Sequence, residues 1–137
     1  MNKLVKNSKI KDELGINLVK ACDLFICNRN STNLKTILAG LPWFTDWGRD
    51  TMIAFTGLVL VPKRFKDAQE ILLSFSKYEK NGLIPNMFPD DNNDPLYNTV
   101  DASMWYFYAC HKYIEYTGDY DFIIKNIYPT LENIIKA

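Results

Sequence analysis

The sequence predicts an all-α fold of about five helices in alternating inner and outer layers. Three observations lead there. Five segments carry apolar residues at helical spacing, and they alternate between amphipathic and apolar nearly all round. Both apolar segments are preceded by long loops rich in aromatic and charged side chains. Nothing in the pattern repeats as a motif, so a short-period solenoid is not indicated.

Lys9 to Cys27 reads as the first helix, with Leu14, Leu18, Ala21, Cys22 and Phe25 on one side and Lys11, Asp12, Glu13, Asn17 and Lys20 between them. Gly15 weakens that helix by roughly 1 kcal/mol against alanine, which allows a later start. Asn28 to Asn33 is a polar turn, and Thr36 to Ala39 reads as a short extended piece before Gly40-Leu41-Pro42. The second helix is expected from about Trp47 to Leu60, where Pro62 stops it. Its interior, Met52 to Leu60, is apolar nearly all round and is expected to be buried on every side, with Gly57 allowing a neighbouring backbone to come close.

Lys63 to about Lys80 forms the third helix, with Phe65, Ala68, Ile71, Leu72 and Phe75 on its apolar face and Asn81-Gly82 as its stop. Leu83 to Asn98 is a long loop with three prolines. Loops of this length are usually functional or mobile. Its acidic run, Asp90 to Asp94, lacks the central glycine and closing glutamate of a calcium loop and reads as a solvated turn. The fourth helix is expected from Thr99 or Val100 to Tyr116, ending at Gly118, and is again apolar nearly all round; His111, late in it, reads as a structural residue. A fifth, amphipathic region begins near Asp119 and bends at Pro129.

Composition narrows the functional classes. The chain has 137 residues, 47% hydrophobic and 23% charged, with 16 basic and 16 acidic side chains. That is enough for one globular domain, and it lacks the basic face that a nucleic-acid or membrane-surface partner requires. No apolar run reaches the roughly 18 residues of a membrane span, and the N-terminus lacks the apolar core of a signal peptide. Three cysteines and a single histidine offer no zinc-type set, so no metal or other cofactor is called for. An odd cysteine number without a signal points to reduced thiols and a cytoplasmic location.

The chemistry is concentrated in Trp43-Phe44-Thr45-Asp46-Trp47-Gly48-Arg49-Asp50. Two indoles, a phenyl ring, two carboxylates and a guanidinium exceed what a helix cap needs. A pyranose ring offers an apolar face to an indole and a rim of hydroxyls to Asp and Arg. The plain alternative is that Trp43, Phe44 and Trp47 are core aromatics and Asp46 is an N-cap. The second loaded opening is Tyr97-Asn98-Thr99-Val100-Asp101. With both apolar helices in an inner layer, the two openings converge at one end of it, which makes that end the predicted site.

At these openings the residues match a known pattern. Phe44 to Thr51 resembles a signature of the glucosidase domain of glycogen debranching enzymes, the amylo-α-1,6-glucosidases. Leu83-Ile84-Pro85-Asn86 and Tyr97-Asn98-Thr99-Val100-Asp101-Ala102 are similar to the next two family blocks, in order. The resemblance covers nearly the whole chain. It implies an α/α toroid of six helical hairpins, glucoamylase-like, with a sugar pocket at the inner-helix N-termini. It implies that Arg49 and Asp50 hold hydroxyls of a terminal glucose and that Trp43 and Trp47 wall the pocket. Asn98 and Asp101 line its other side, with helix capping as the plain alternative for Asp101.

The departures carry equal weight. The family hydrolyses α-1,6-linked glucose of glycogen-type α-glucans with inversion, using one carboxylic acid and one carboxylate base. The family's acid lies in a later Trp-Met-Asp block and its base nearer the C-terminus, and neither block is present. Leu41 also stands where an aromatic is expected. Residues 1–137 therefore read as a single-domain fragment of the toroid that binds substrate without the catalytic pair. Asp46 and Asp50 could share a helix face, but set between Trp and Arg they suit hydroxyl binding better than acid–base work. Two other classes remain: a sugar-binding or regulatory module without chemistry, and an all-α interaction domain. An incomplete toroid also predicts self-association through its uncovered apolar helix faces.

Overall fold

The computed structural model describes residues 2–89 and 94–137. Most of the acidic run, Asp90 to Asn93, lies outside the described residues, so the solvated-turn reading is not addressed there. The fold is all-α apart from one hairpin, compatible with part of a glucoamylase-like domain. In chain order the elements are α1 (Asn2–Ser8), α2 (Glu13–Cys22), β1 (Ile26–Arg29), β2 (Leu34–Ile37), α3 (Gly48–Phe55), α4 (Phe65–Ser76), α5 (Asp101–Thr117), α6 (Tyr120–Phe122) and α7 (Tyr128–Lys136).

The N-terminal third differs most from its sequence reading. The expected first helix is shorter at both ends, and α1 precedes it unannounced. Asp12 sets the start of α2 by accepting the Gly15 N–H at 2.7 Å, and Lys9, at φ 62°, breaks the chain from α1. A 3-10 turn, Asp23–Phe25, then leads directly into β1. The buried residue of α2 is Val19, whereas Leu14 and Leu18, expected inside, are exposed. The helical period was right and its phase was not. The polar turn is real but tighter than read: β1 and β2 pair antiparallel with Ile26 opposite Ile37 and Arg29 opposite Leu34. Asn33 turns the corner at φ 55°, a left-handed conformation that asparagine tolerates.

The later helices follow the sequence closely. Ala68, Ile71, Leu72 and Phe75 of α4 are buried, and α5 ends at Gly118 in the left-handed region, φ 68°. The second and fifth helical regions each contain a wide π turn, Thr56–Leu60 and Ile123–Ile127. Both lie just before a proline, Pro62 and Pro129. A proline ring clashes with the carbonyl four residues back, and widening the helix there relieves the crowding.

Helix α3 packs along α5, while α4 packs on β2 and α5. Met52, Phe55, Phe75, Tyr106 and Tyr113 sit at the centre of one core. Tyr106 reaches it without an unpaired hydroxyl, donating to the Leu72 carbonyl at 2.9 Å. Neither apolar helix is buried on every side, however. Ile53 on α3 is 49% exposed, and Met104 and Tyr108 on α5 are 52% and 42% exposed. One strip of each helix has no cover among the described residues. Gly57 also departs from expectation, since a side chain there would meet no atom within 4 Å. The close backbone approach occurs instead at Gly48. His111 is on the surface, 3.8 Å from Glu115, rather than structural.

Candidate functional site

The two loaded openings do meet. Helices α3 and α5 begin at the same end of the fold, so that a Cβ on Gly48 would lie 3.3 Å from that of Ala102. The Arg49 Nη1 donates to Asp101 Oδ2 across the gap at 3.0 Å. Both side chains remain partly open to solvent. Asp101 is the first residue of α5, not a cap. The adjacent Thr99 hydroxyl and the Arg49 guanidinium hold its carboxyl below the usual range, so it is ionised throughout neutral pH. Asp50 and Asp101 both lie in first helical turns, where the positive end of the helix dipole favours a carboxylate.

On either side of residues 90–93, the loop before α5 is tied down. The Asn86 N–H donates to the Leu96 carbonyl at 2.7 Å, and Leu96 returns a bond to Met87 at 2.9 Å. Met87 also bridges to Trp47, and Phe88 is buried against Phe75 and Tyr78. The Gly48 N–H donates to the Asn86 carbonyl at 2.8 Å, joining the first turn of α3 to this loop. Asn86 then reaches the other opening, its Nδ2 donating to Asn98 Oδ1 at 3.2 Å. Asn98 itself is exposed.

The predicted residues divide by placement. Arg49, Asp50 and Asn98 are exposed at the two helix starts, Asp101 is partly exposed between them, and Trp47 is half-buried just before α3. Trp43 stands at the tip of the turn between Gly40 and Phe44, 85% exposed among the described residues. Asp50 borders a groove of about 460 Å³ lined mostly by apolar residues, including Ile37, Ile53 and Leu58.

Asp46 was read from sequence as part of the sugar-facing rim, but its carboxylate is turned inward and 2% exposed. One oxygen accepts from Arg29 Nη1 at 2.5 Å and the other from the Thr36 hydroxyl at 2.7 Å. The Arg29 guanidinium lies over the Phe88 ring, 4.1 Å from its centroid. Burial pushes the Asp46 carboxyl above its ordinary range, against the pull of Thr36 and Arg29. Asp46 also precedes the helix, so it shares no helical face with Asp50, and it borders a separate groove of about 670 Å³. Arg29, Thr36 and Asn86 were read only as parts of a turn, an extended piece and a family block, with no role in the site. Each is a single polar residue whose partner lies 10 to 17 residues away in another segment, which leaves no local signal. Among the described residues, no cluster of three or more His, Cys, Asp and Glu could hold a metal ion.

An all-α unit with its polar residues gathered at the starts of two adjacent helices is the class this geometry defines. Comparison with known proteins is more specific. A model of the family described as amylo-alpha-1,6-glucosidase matches residues 20–137. The chain is also 36% identical over 98 residues to the glycogen debranching enzyme of Saccharomyces cerevisiae. That alignment covers 68% of this chain and 6% of the yeast protein, so the chain spans a small part of that relative's length. The chain belongs to the amylo-alpha-1,6-glucosidase family. Among the described residues, no helix is long and apolar enough to cross a membrane.

The inward clamp on Asp46 generates a stability prediction. Asp46→Ala leaves the Arg29 guanidinium buried without its carboxylate and is expected to cost about 3–5 kcal/mol in urea unfolding. Thr36→Val, which removes one neutral donor, should cost about 1 kcal/mol. An Asp46→Ala chain with the wild-type midpoint would show that the clamp contributes nothing.

Proposed function

We propose that the chain supplies part of the α-glucan-binding surface of an inverting α-1,6-glucosidase and does not itself carry the acid and base. The observation that carries this reading is the Arg49–Asp101 contact across the starts of α3 and α5. It joins a cation to a first-turn carboxylate at the two helix starts, with the exposed amide of Asn98 just before α5 and the exposed Asp50 one residue after Arg49, at the edge of the neighbouring groove. Charged groups of this kind form strong, directional bonds to sugar hydroxyls. A glucosyl ring entering here takes its hydroxyl contacts from Arg49, Asp50, Asn98 and Asp101 and stacks on Trp47 or Trp43. Asp46 serves from behind, holding the loop that presents them.

Inverting hydrolysis needs two carboxyl groups about 6.5–9.5 Å apart on opposite faces of the sugar. Asp101 is committed to Arg49 and ionised, which suits hydroxyl binding better than proton donation. The reading therefore treats residues 1–137 as one domain, a portion of an α/α toroid whose acid and base lie in later blocks of the family pattern, and places it in the cytoplasm. Its substrate is an α-1,6-branched α-glucan such as glycogen or a limit dextrin. The test is glucose release from a short maltooligosaccharide bearing one α-1,6-linked glucose, with binding followed in parallel. The expected result is measurable binding that weakens about tenfold or more in Asp50→Ala and Asp101→Ala, with no glucose released. Turnover abolished by Asp101→Asn would overturn the assignment of that carboxylate to binding.

The uncovered strips bearing Ile53, Met104 and Tyr108 support a second component, self-association through α3, α5 or the C-terminal segment. Zero net charge offers little opposing repulsion. Sedimentation velocity is expected to show species larger than the 15.9 kDa chain. A single monomeric boundary that binds no hydrophobic dye would contradict this.

A further inference from the structure

We propose that Asn86 is a positioning residue for the sugar site, holding Asn98 so that its amide N–H₂ is free to donate to a glucosyl hydroxyl. The inference rests on the sugar-binding reading above and assigns a task that none of the exposed residues performs.

The argument begins from an oddity of burial. Asn86 is only 4% exposed, although an asparagine side chain carries two donors and an acceptor. Its main chain is fully used, the N–H by Leu96 and the C=O by Gly48. Its side chain makes one bond, Nδ2 to Asn98 Oδ1 at 3.2 Å, while its own Oδ1 is buried without a partner among the described residues. A buried acceptor left unmade is destabilising, so an apolar side chain would suit stability better here. What the amide does supply is orientation. Asn98 is exposed and could present either end of its amide to solvent. With its oxygen taken by Asn86, it presents nitrogen. The opening thus gains a neutral donor beside the charged Arg49–Asp101 pair. A hydroxyl that donates to the Asp101 carboxylate can then accept from the Asn98 amide.

Asn86 also ties this orientation to the other wall. Its carbonyl receives the Gly48 N–H, one residue before Arg49. Asn86 thus bonds to both walls of the opening, through its carbonyl to Gly48 and through its side chain to Asn98. Substitution leaves both main-chain bonds available and removes only the side-chain contact.

The test is a double-mutant cycle on the whole 137-residue chain, titrated with the α-1,6-glucosyl maltooligosaccharide and read as affinity. Asn86→Ala and Asn98→Ala are each expected to weaken binding about threefold to tenfold, the range of one net hydrogen bond. The double variant should be no weaker than the worse single variant to within about twofold. Losses that multiply would assign Asn86 a general structural role and overturn the proposal. So would wild-type affinity in Asn86→Ala. Asn86→Ser, too short to reach Asn98, repeats the test if the alanine variant folds poorly. In the wild-type chain, the Asn98 side-chain N–H₂ resonances must shift on titration, and resonances that stay fixed overturn the proposal whatever the variants do. A wild-type chain that binds no sugar removes the site reading and this inference together. Binding that is lost in Asp50→Ala but indifferent to Asn86 removes this inference alone.

Discussion

The structure depends on one close approach, where the first turn of α3 meets the loop at Pro85 and Asn86. A Cβ on Gly48 would stand 2.2 Å from the Pro85 carbonyl oxygen, inside any van der Waals contact. Because residue 48 has no side chain, its N–H comes within 2.8 Å of the Asn86 carbonyl. Residues 84–86 are then held against both α3 and α5, with the Ile84 N–H donating to the Ser103 hydroxyl at 2.9 Å on the α5 side. Arg49 follows Gly48 directly, and Asp101 precedes Ala102, whose Cβ lies 3.3 Å from where a Cβ on Gly48 would be, so the same close packing sets Arg49 beside Asp101. A site whose facing residues, Arg49 and Asp101, are 52 residues apart needs such a rigid joint, because exposed polar side chains contribute little order of their own.

The second support acts from behind. The Asp46 carboxylate, bound to Arg29 and Thr36, fixes the segment leading into α3 to the β1–β2 hairpin. Desolvating two charges is costly, and such a pair adds less net stability than its short distance suggests. Its value lies in allowing one placement only: a shifted loop would leave both charges buried and unpaired. Phe88 links the two supports, stacked beneath Arg29 and buried on Phe75 and Tyr78. The residues that would touch a ligand are thus mostly exposed, and those that hold them are mostly buried.

The sequence was most legible where structure is local. The apolar spacing of α4 and α5 and the Gly118 stop appeared as read, because period and terminating glycine are properties of neighbouring residues. The turn and part of β2 were read, but β1 was taken into the first helix because it is four residues long and mixed in character; in α2 the inward face is the one that bears Val19, a choice that packing makes and spacing alone does not. The convergence of Arg49 and Asp101 could be anticipated from two loaded loops before two apolar helices. The inward rotation of Asp46 could not, since its partners lie 17 and 10 residues back in another element. Asn86 was visible only as part of a family block, with nothing local to show that its side chain spans the two openings. Helices α3 and α5 read as buried all round, yet Ile53 on the one and Met104 and Tyr108 on the other are exposed among the described residues, because an apolar composition does not say which neighbours cover a face.

The measurement that bears most directly on this account is the unfolding midpoint of Gly48→Ala beside that of Gly57→Ala. Both replace a glycine in the same helical segment, but only residue 48 faces a backbone carbonyl; residue 57 faces open space. Gly48→Ala is expected to lose about 2–3 kcal/mol and its sugar affinity together, because the joint between the two loops must open. Gly57→Ala should be neutral or gain up to about 1 kcal/mol from helix propensity. Equal midpoints for the two variants, with sugar binding retained in both, would contradict the claim that the Gly48–Asn86 contact assembles the site.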